Sequence, residues 1–226
     1  MTNIRGIILD VDGTLVDSND QHAKAWCDAF AEKGYRASYK VVRSLIGMGG
    51  DRLVPRITGL SEESERGKEV SECRGKLFKA KYLHTIKSWP HSRELLLKMR
   101  DAGMNLAVAS SAPEDDLGPL LKIAGADDLI SGKTSSDDAD HSKPDPDIVQ
   151  AALKKLGLLE NEVLMVGDTP YDIEAAGSAG IRTIAFRCGG WDDDNLIGAL
   201  AIHDNPEELL SHFETSVLSQ SHRSTR

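Results

Sequence analysis

Short apolar runs recur along the chain and stop abruptly. "GIIL" at 6–9 ends in Asp10, "LAVA" at 106–109 ends in Ser110 and Ser111, and "VLMV" at 163–166 ends in Gly167 and Asp168. A fourth run, "IRTIAF", follows at 181–186. Runs this short, without polar alternation, read as strands buried on both faces. Between them lie stretches with apolar residues at helical spacing: "PEDDLGPLLKIAG", "PDIVQAALKKLG", "TPYDIEAAGSAG" and, last, "NPEELLSHF". Gly103, Gly125, Gly157 and Gly180 fall where such helices would end, positions that favour a left-handed residue. Strand–helix alternation predicts an α/β fold with a parallel sheet flanked by helices.

Residues 17–86 follow another pattern. Trp26, Ala29 and Phe30 fall at helical spacing, Leu53, Ile57 and Leu60 do so again, and a charged stretch over 61–82 reads as a further helix. No strand pattern of comparable strength interrupts them. The segment is expected to be an all-helical insert, 17–86, in a core formed by 1–16 and 87–226, with "SWPHS" at 88–92 returning the chain to that core. The terminal "SQSHRSTR" is polar, without periodicity, and is expected to fray.

Composition narrows the partners. With 226 residues the chain can bury a substantial core. Its formal net charge of −9, spread along the sequence, argues against nucleic acid or an anionic membrane surface, which demand a basic face. Small anions stay open, because one lysine and a metal ion can invert a local field. Cys27, Cys73 and Cys188 show neither a disulfide framework nor a metal-binding spacing, which fits a reducing, cytoplasmic setting. No export signal or membrane span is read. A monomer or weak dimer is expected.

Candidate chemistry comes from the ends of the runs. In a parallel sheet all carboxyl ends lie at one edge, where open α/β folds bind ligands. Asp10, Asp12, Ser110, Ser111 and Asp168 should converge there, joined by Asp172 and by Lys143 of "HSKPDPD". Singly, Lys143 reads equally as a surface lysine, and Asp168 as a cap for the following helix. Jointly they make a coherent set. Clustered carboxylates call for a hard divalent cation, and oxygen ligands suit Mg²⁺. A hydroxyl and an ammonium suit phosphoryl oxygens. A carboxylate can then attack phosphorus while a second one moves the proton. A phospho-acceptor signalling domain uses similar groups, but its acidic pair precedes an acceptor on a later strand; here the candidate acceptor leads the chain.

These motifs resemble those of the haloacid dehalogenase-like hydrolase superfamily: "DVDGTL" at 10–15, Ser110, Lys143 in "SKPDPD" and "GDTPYD" at 167–172. The resemblance implies a Rossmann-like core, a helical cap at 17–86 and Mg²⁺-dependent phosphoryl transfer on a small phosphorylated metabolite. It implies Asp10 as nucleophile and metal ligand, and Asp12 as general acid/base that also offers its backbone carbonyl to the metal. Ser110, Ser111 and Lys143 would hold the phosphoryl group, Asp168 the metal, and Asp172 would support from behind. An acid at position 12 disfavours dehalogenation. The nearest group is similar to phosphoglycolate phosphatases and β-phosphoglucomutases. "DSNDQHAKAW" resembles the opening of the mutases, with His22 either a packed residue or a cap-side proton handler. In "GMGGDR" a glycine stands where a mutase carries its cap arginine, although Arg52 is close enough to substitute. The 47–52 loop, with Gly49 and Gly50, is thus either a plain turn or a specificity element.

Overall fold

Ile7 and Leu9 point to one side of the first strand and Ile8 to the other, and all three are fully buried. That double burial requires helices on both faces, which the computed structural model, describing residues 3–219, supplies. Its strands are β1 (Gly6–Leu9), β2 (Val16–Asp17), β3 (Lys87–Ser88), β4 (Asn105–Ala109), β5 (Gly132–Thr134), β6 (Val163–Gly167), β7 (Arg182–Phe186) and β8 (Ala201–His203). The helices are α1 (Asn19–Glu32), α2 (Tyr39–Arg43), α3 (Gly50–Thr58), α4 (Glu65–Leu77), α5 (Ser92–Asp101), α6 (Glu114–Ala124), α7 (Asp147–Leu156), α8 (Pro170–Ser178) and α9 (Pro206–Ser211). Six strands form one parallel sheet in the order β5-β4-β1-β6-β7-β8. The expected parallel α/β class is therefore observed.

The two faces carry separate cores. Ile7, Leu9, Leu106, Val108, Leu164 and Val166 pack with Leu95, Leu96 and Met99 of α5 and with α6. On the opposite face Ile8, Ala107, Ala109 and Met165 meet Ile148, Val149 and Ala152 of α7 and Ala175 and Ala176 of α8. Each large apolar side chain so buried contributes about 1.5–3 kcal/mol against exposure. Edge strands β5 and β8, three residues each, are too short to stand out by pattern in the sequence.

Residues 19–82 are helical between turns and have a third core, built on Ala23, Trp26, Ala29, Phe30, Val42, Leu53, Val54 and Val70. The charged stretch enters its helix at Glu65, because Ser64 caps it by accepting the Gly67 N–H at 3.1 Å. The helix closes in a π turn over Phe78–Tyr82. Leu60 lies beyond α3, which stops at Gly59 in the left-handed region (φ 74°). The chain leaves and re-enters the sheet domain side by side: β2 and β3 pair antiparallel, Val16 with Ser88 and Asp17 with Lys87. Among the described residues no helix is long and apolar enough to cross a membrane. Most of the expected frayed tail, 220–226, lies outside the described residues.

Candidate active site

Register fixes which groups meet. Leu9 is level with Val108 and Val166, so Asp10, Ser110 and Asp168 emerge together at the carboxyl edge of three adjacent strands. The Asp10 N–H still completes the sheet by donating to Val166 O (2.9 Å). Chain reversal follows immediately at Gly13, whose φ of 80° is left-handed. A Cβ there would lie 2.3 Å from Asp168 Oδ2, so the turn needs glycine for space as well.

Lys143 is fully buried, not a surface lysine. It bridges two carboxylates, donating to Asp10 Oδ1 at 2.6 Å and Asp172 Oδ1 at 2.7 Å. The other Asp172 oxygen accepts the N–H groups of Asp168 (3.2 Å) and Thr169 (3.0 Å) and the Thr169 hydroxyl (2.7 Å). Thr169, not Asp168, caps α8, with Asp172 completing the reciprocal pair. Asp168 is left facing the site, where it accepts from Thr14 Oγ1 (2.7 Å) and Asn19 Nδ2 (2.9 Å).

Asp12, which lines the same cleft as Asp10, has different partners. Its Oδ1 accepts from Ser18 Oγ at 2.5 Å and lies 2.8 Å from His22 Nε2. Both Asn19 and His22 stand on the stripe of α1 that continues into Trp26, Ala29 and Phe30. The helix that fills the third core thus delivers its first two turns to the site. Sequence reasoning missed Thr14 and Asn19. Thr14 sits inside the first motif, and Asn19 lies one helical step before His22.

Electrostatics set the requirement. Burial pushes the Asp10 carboxyl up to about 7, and the charges of Asp172 and Asp12 add to this against the pull of Lys143. Burial with the Asp10 and Asp172 charges also raises Asp168, despite Thr14 and Asn19. Burial favours a neutral Lys143, but Asp10 and Asp172 outweigh it and hold the ammonium. Asp12 is held below the usual carboxylate range: burial opposes, and His22, Ser18 and Arg74 prevail. Asp10, Asp168 and Asp172 bring carboxylate oxygens within 4.8 Å of one another, with one ammonium among them. This all-oxygen set with surplus negative charge fits a hard divalent cation.

Ser110 is buried, its hydroxyl accepting from Ala112 N (3.1 Å), whereas Ser111 donates to Gly47 O (3.1 Å) on the helical segment. A cleft of about 40 Å³ beside Asp10 is lined by Asp12, His22, Gly49, Gly50, Arg74 and Ser111, among others. Arg52 is not in that lining; it pairs with Asp145 and with Asp51 (3.6 Å). Arg74, which the sequence reading passed over, is buried there instead, its guanidinium over Trp26 and Phe78 and its Nη1 2.7 Å from Asp116 Oδ2. Gly49 is held by close approach, since a Cβ there would meet Ser142 Oγ at 2.0 Å and Ser142 Cβ at 2.6 Å, whereas one at Gly50 would meet only the carboxyl end of Glu62.

Comparison with known proteins shows the family and the fold. The family model described as haloacid dehalogenase-like hydrolase matches residues 7–186. A phosphoglycolate phosphatase of Yersinia pestis is 33% identical over 215 residues, covering 93% of this chain and 90% of its own. The crystal structure of a hydrolase from Pseudomonas syringae superposes with a TM-score of 0.87 at 29% identity, covering 93% of this chain and 98% of that one. At the level of the fold, CbbY from Rhodobacter sphaeroides in complex with phosphate is similar, with TM-score 0.78, 24% identity and coverage of 91% and 96%. The protein belongs to the haloacid dehalogenase-like hydrolase family.

Proposed function

We propose that this protein is a Mg²⁺-dependent phosphatase that hydrolyses a small phosphate monoester through a phosphorylated Asp10. The observation that carries this reading is the division between the two carboxylates of the first motif. Asp10 is fixed through Oδ1 by Lys143, while Asp12 is held by Ser18 and His22.

Asp10 Oδ2 attacks phosphorus, the bond from phosphorus to the ester oxygen breaks, and that oxygen takes a proton held between Asp12 and His22. Water then passes a proton to Asp12 and attacks the same phosphorus, releasing inorganic phosphate and regenerating Asp10. Lys143 restrains the nucleophile, and with Ser110 and Ser111 it offers hydrogen bonds to phosphoryl oxygens. Mg²⁺, held by Asp10, Asp168 and the backbone carbonyl of Asp12, would neutralise charge on the phosphoryl oxygens. Asp172 keeps Lys143 in place from behind. The 17–86 segment acts as a cap that closes over the ester.

The cleft at Asp10 has room for roughly three or four water-sized groups, which suits a phosphoryl group and little else. A sugar-phosphate mutase is the second reading, favoured by His22. It ranks lower because Arg52, the nearest substitute for a mutase arginine, is engaged by Asp145. The three free cysteines suit the cytoplasm as the setting. The test is Mg²⁺-dependent release of inorganic phosphate, abolished by Asp10→Asn. Full activity in that variant overturns the mechanism, and interconversion of hexose 1- and 6-phosphates faster than phosphate release favours the mutase.

A further inference from the structure

Asp168 is fully buried, and each of its oxygens accepts from one side chain: Oδ1 from Thr14 Oγ1 at 2.7 Å and Oδ2 from Asn19 Nδ2 at 2.9 Å. Both donors are neutral. Asp10, by contrast, meets the ammonium of Lys143. A carboxylate oxygen that accepts one hydrogen bond still has a lone pair to offer, so Asp168 is turned to a fixed orientation yet keeps its full charge for a cation. A lysine in the place of Asn19 would cancel that charge.

Asn19 reaches this carboxylate from the other part of the molecule. It is the first residue of α1, only 3% exposed, and opens the inserted segment, whereas Asp168 directly follows β6 of the sheet. Its amide nitrogen faces two acceptors, Asp168 Oδ2 and, at 3.2 Å, Gly189 O, and this pair fixes which way the amide points. Gly189 O takes a second bond from the same segment, from Arg43 Nη2 of α2 at 2.5 Å. Glycines wall the contact on two sides. A Cβ at Gly13 would lie 2.2 Å from Asn19 Nδ2, and one at Gly189 would lie 1.7 Å from Asp168 Oδ2. The turn of the first motif and the turn after β7 thus both close on the bond between Asn19 and Asp168.

We infer that Asn19 is a positioning residue for the cation site: through this amide the inserted segment sets the orientation in which Asp168 serves as a metal ligand, so the site is complete only with α1 in place. The inference rests on the metal-dependent part of the phosphatase reading and deepens it. Mg²⁺ demands near-octahedral geometry, whereas Ca²⁺ accepts flexible arrangements and more ligands. A carboxylate freed to rotate therefore costs Mg²⁺ more than Ca²⁺. A fold merely loosened weakens both alike.

Calorimetric titration of the full-length protein with Mg²⁺ and with Ca²⁺ reads the effect without any turnover. Asn19→Ala should raise the Mg²⁺ dissociation constant about 10–100-fold, the usual loss when a group that orients a metal ligand is removed. The rise for Ca²⁺ should be several-fold smaller. Asn19→Ser keeps a polar residue at the start of α1, but its hydroxyl is too short to reach Asp168 and Gly189 together; it should behave alike and covers the case in which alanine unfolds the chain. Lys79→Ala removes a different contact between the segment and the sheet domain, the 3.0 Å pair with Asp115, and should leave both constants unchanged. Parental Mg²⁺ affinity in Asn19→Ala and Asn19→Ser, equal losses for the two cations, or an equal loss in Lys79→Ala overturns the inference. A parent that binds neither cation removes the metal-dependent reading and the inference with it. Mg²⁺ binding without phosphate release from any ester removes the phosphatase reading alone, and the titration still decides the role of Asn19.

Discussion

His22 Nε2 lies 2.8 Å from Asp12 Oδ1, and its ring stacks on Phe78 with centroids 4.2 Å apart. A helix from the inserted segment therefore touches the second carboxylate of the first motif directly. His22→Ala should lower kcat about 10²-fold, the low end for a positioned proton-transfer group, with a smaller change in KM. Phe78→Leu, which removes the stacking surface but not the imidazole, should fall between. Steady-state kinetics on the Asp10-dependent substrate reads this; a wild-type kcat in His22→Ala removes His22 from the proton path.

Lys143 is the counter-charge for two buried carboxylates, so its removal leaves both uncompensated. Lys143→Met should destabilise the metal-free fold by about 3–5 kcal/mol. Urea unfolding reads the loss, and the double variant Lys143→Met with Asp172→Asn should recover part of it. A single variant as stable as the parent contradicts the bridging role.

Gly189 presses on the site from the far side. A Cβ there would sit 1.7 Å from Asp168 Oδ2. Gly189→Ala should cost about 1–3 kcal/mol through overpacking and weaken Mg²⁺ binding by displacing Asp168. Calorimetric titration of Mg²⁺ distinguishes this from simple destabilisation, because Gly177→Ala, where a Cβ meets nothing within 4 Å, should leave binding unchanged.

Asp10 ties stability to pH. Its carboxyl ordinarily titrates at 3.8 but does so at about 7 in the fold. The folded chain then keeps a proton that the unfolded chain has lost, so this contribution is complete below about pH 4 and disappears as pH rises through 7. In EDTA, the melting temperature should fall between pH 5 and 8 more steeply in the parent than in Asp10→Asn. Saturating Mg²⁺, near 100 times its dissociation constant, should restore about 2.7 kcal/mol. Identical pH slopes for parent and variant contradict the assignment.

The sheet and the convergence of polar groups at its edge were readable because β1, β4 and β6 each break from apolar to polar at one residue, and parallel register brings those breaks together. Lys143 and Asp172 lie at no such break; they joined the set through the charge it needed and the resemblance of their motifs, and the helical segment was read from its 3.6-residue spacing. Asn19 was hidden because a polar residue at the start of an amphipathic helix looks like solvated surface until the helix is docked. Arg74 was hidden in a charged stretch, since the partner that buries it, Asp116, is forty-two positions away. Arg52 misled for the converse reason: proximity to a loop in sequence does not fix which way a long side chain turns, and Asp145 claimed it. The glycine pair at 49–50 left a plain turn and a specificity element equally open in the sequence; both glycines line the cleft beside Asp10, with Ser142 and Glu62 packed close to them.

Asp17 and Lys87, the two points where the chain crosses between the sheet domain and the helices, face each other across one antiparallel pair. The β2–β3 pair closes the segment as a loop, and closure costs only about 0.6 kcal/mol more for each doubling of length, so its length can drift at little entropic cost to the rest. The helices beyond the first two turns of α1 can therefore change without disturbing the sheet edge, whereas Asn19 and His22, which meet Asp168 and Asp12, tie the start of the segment to it.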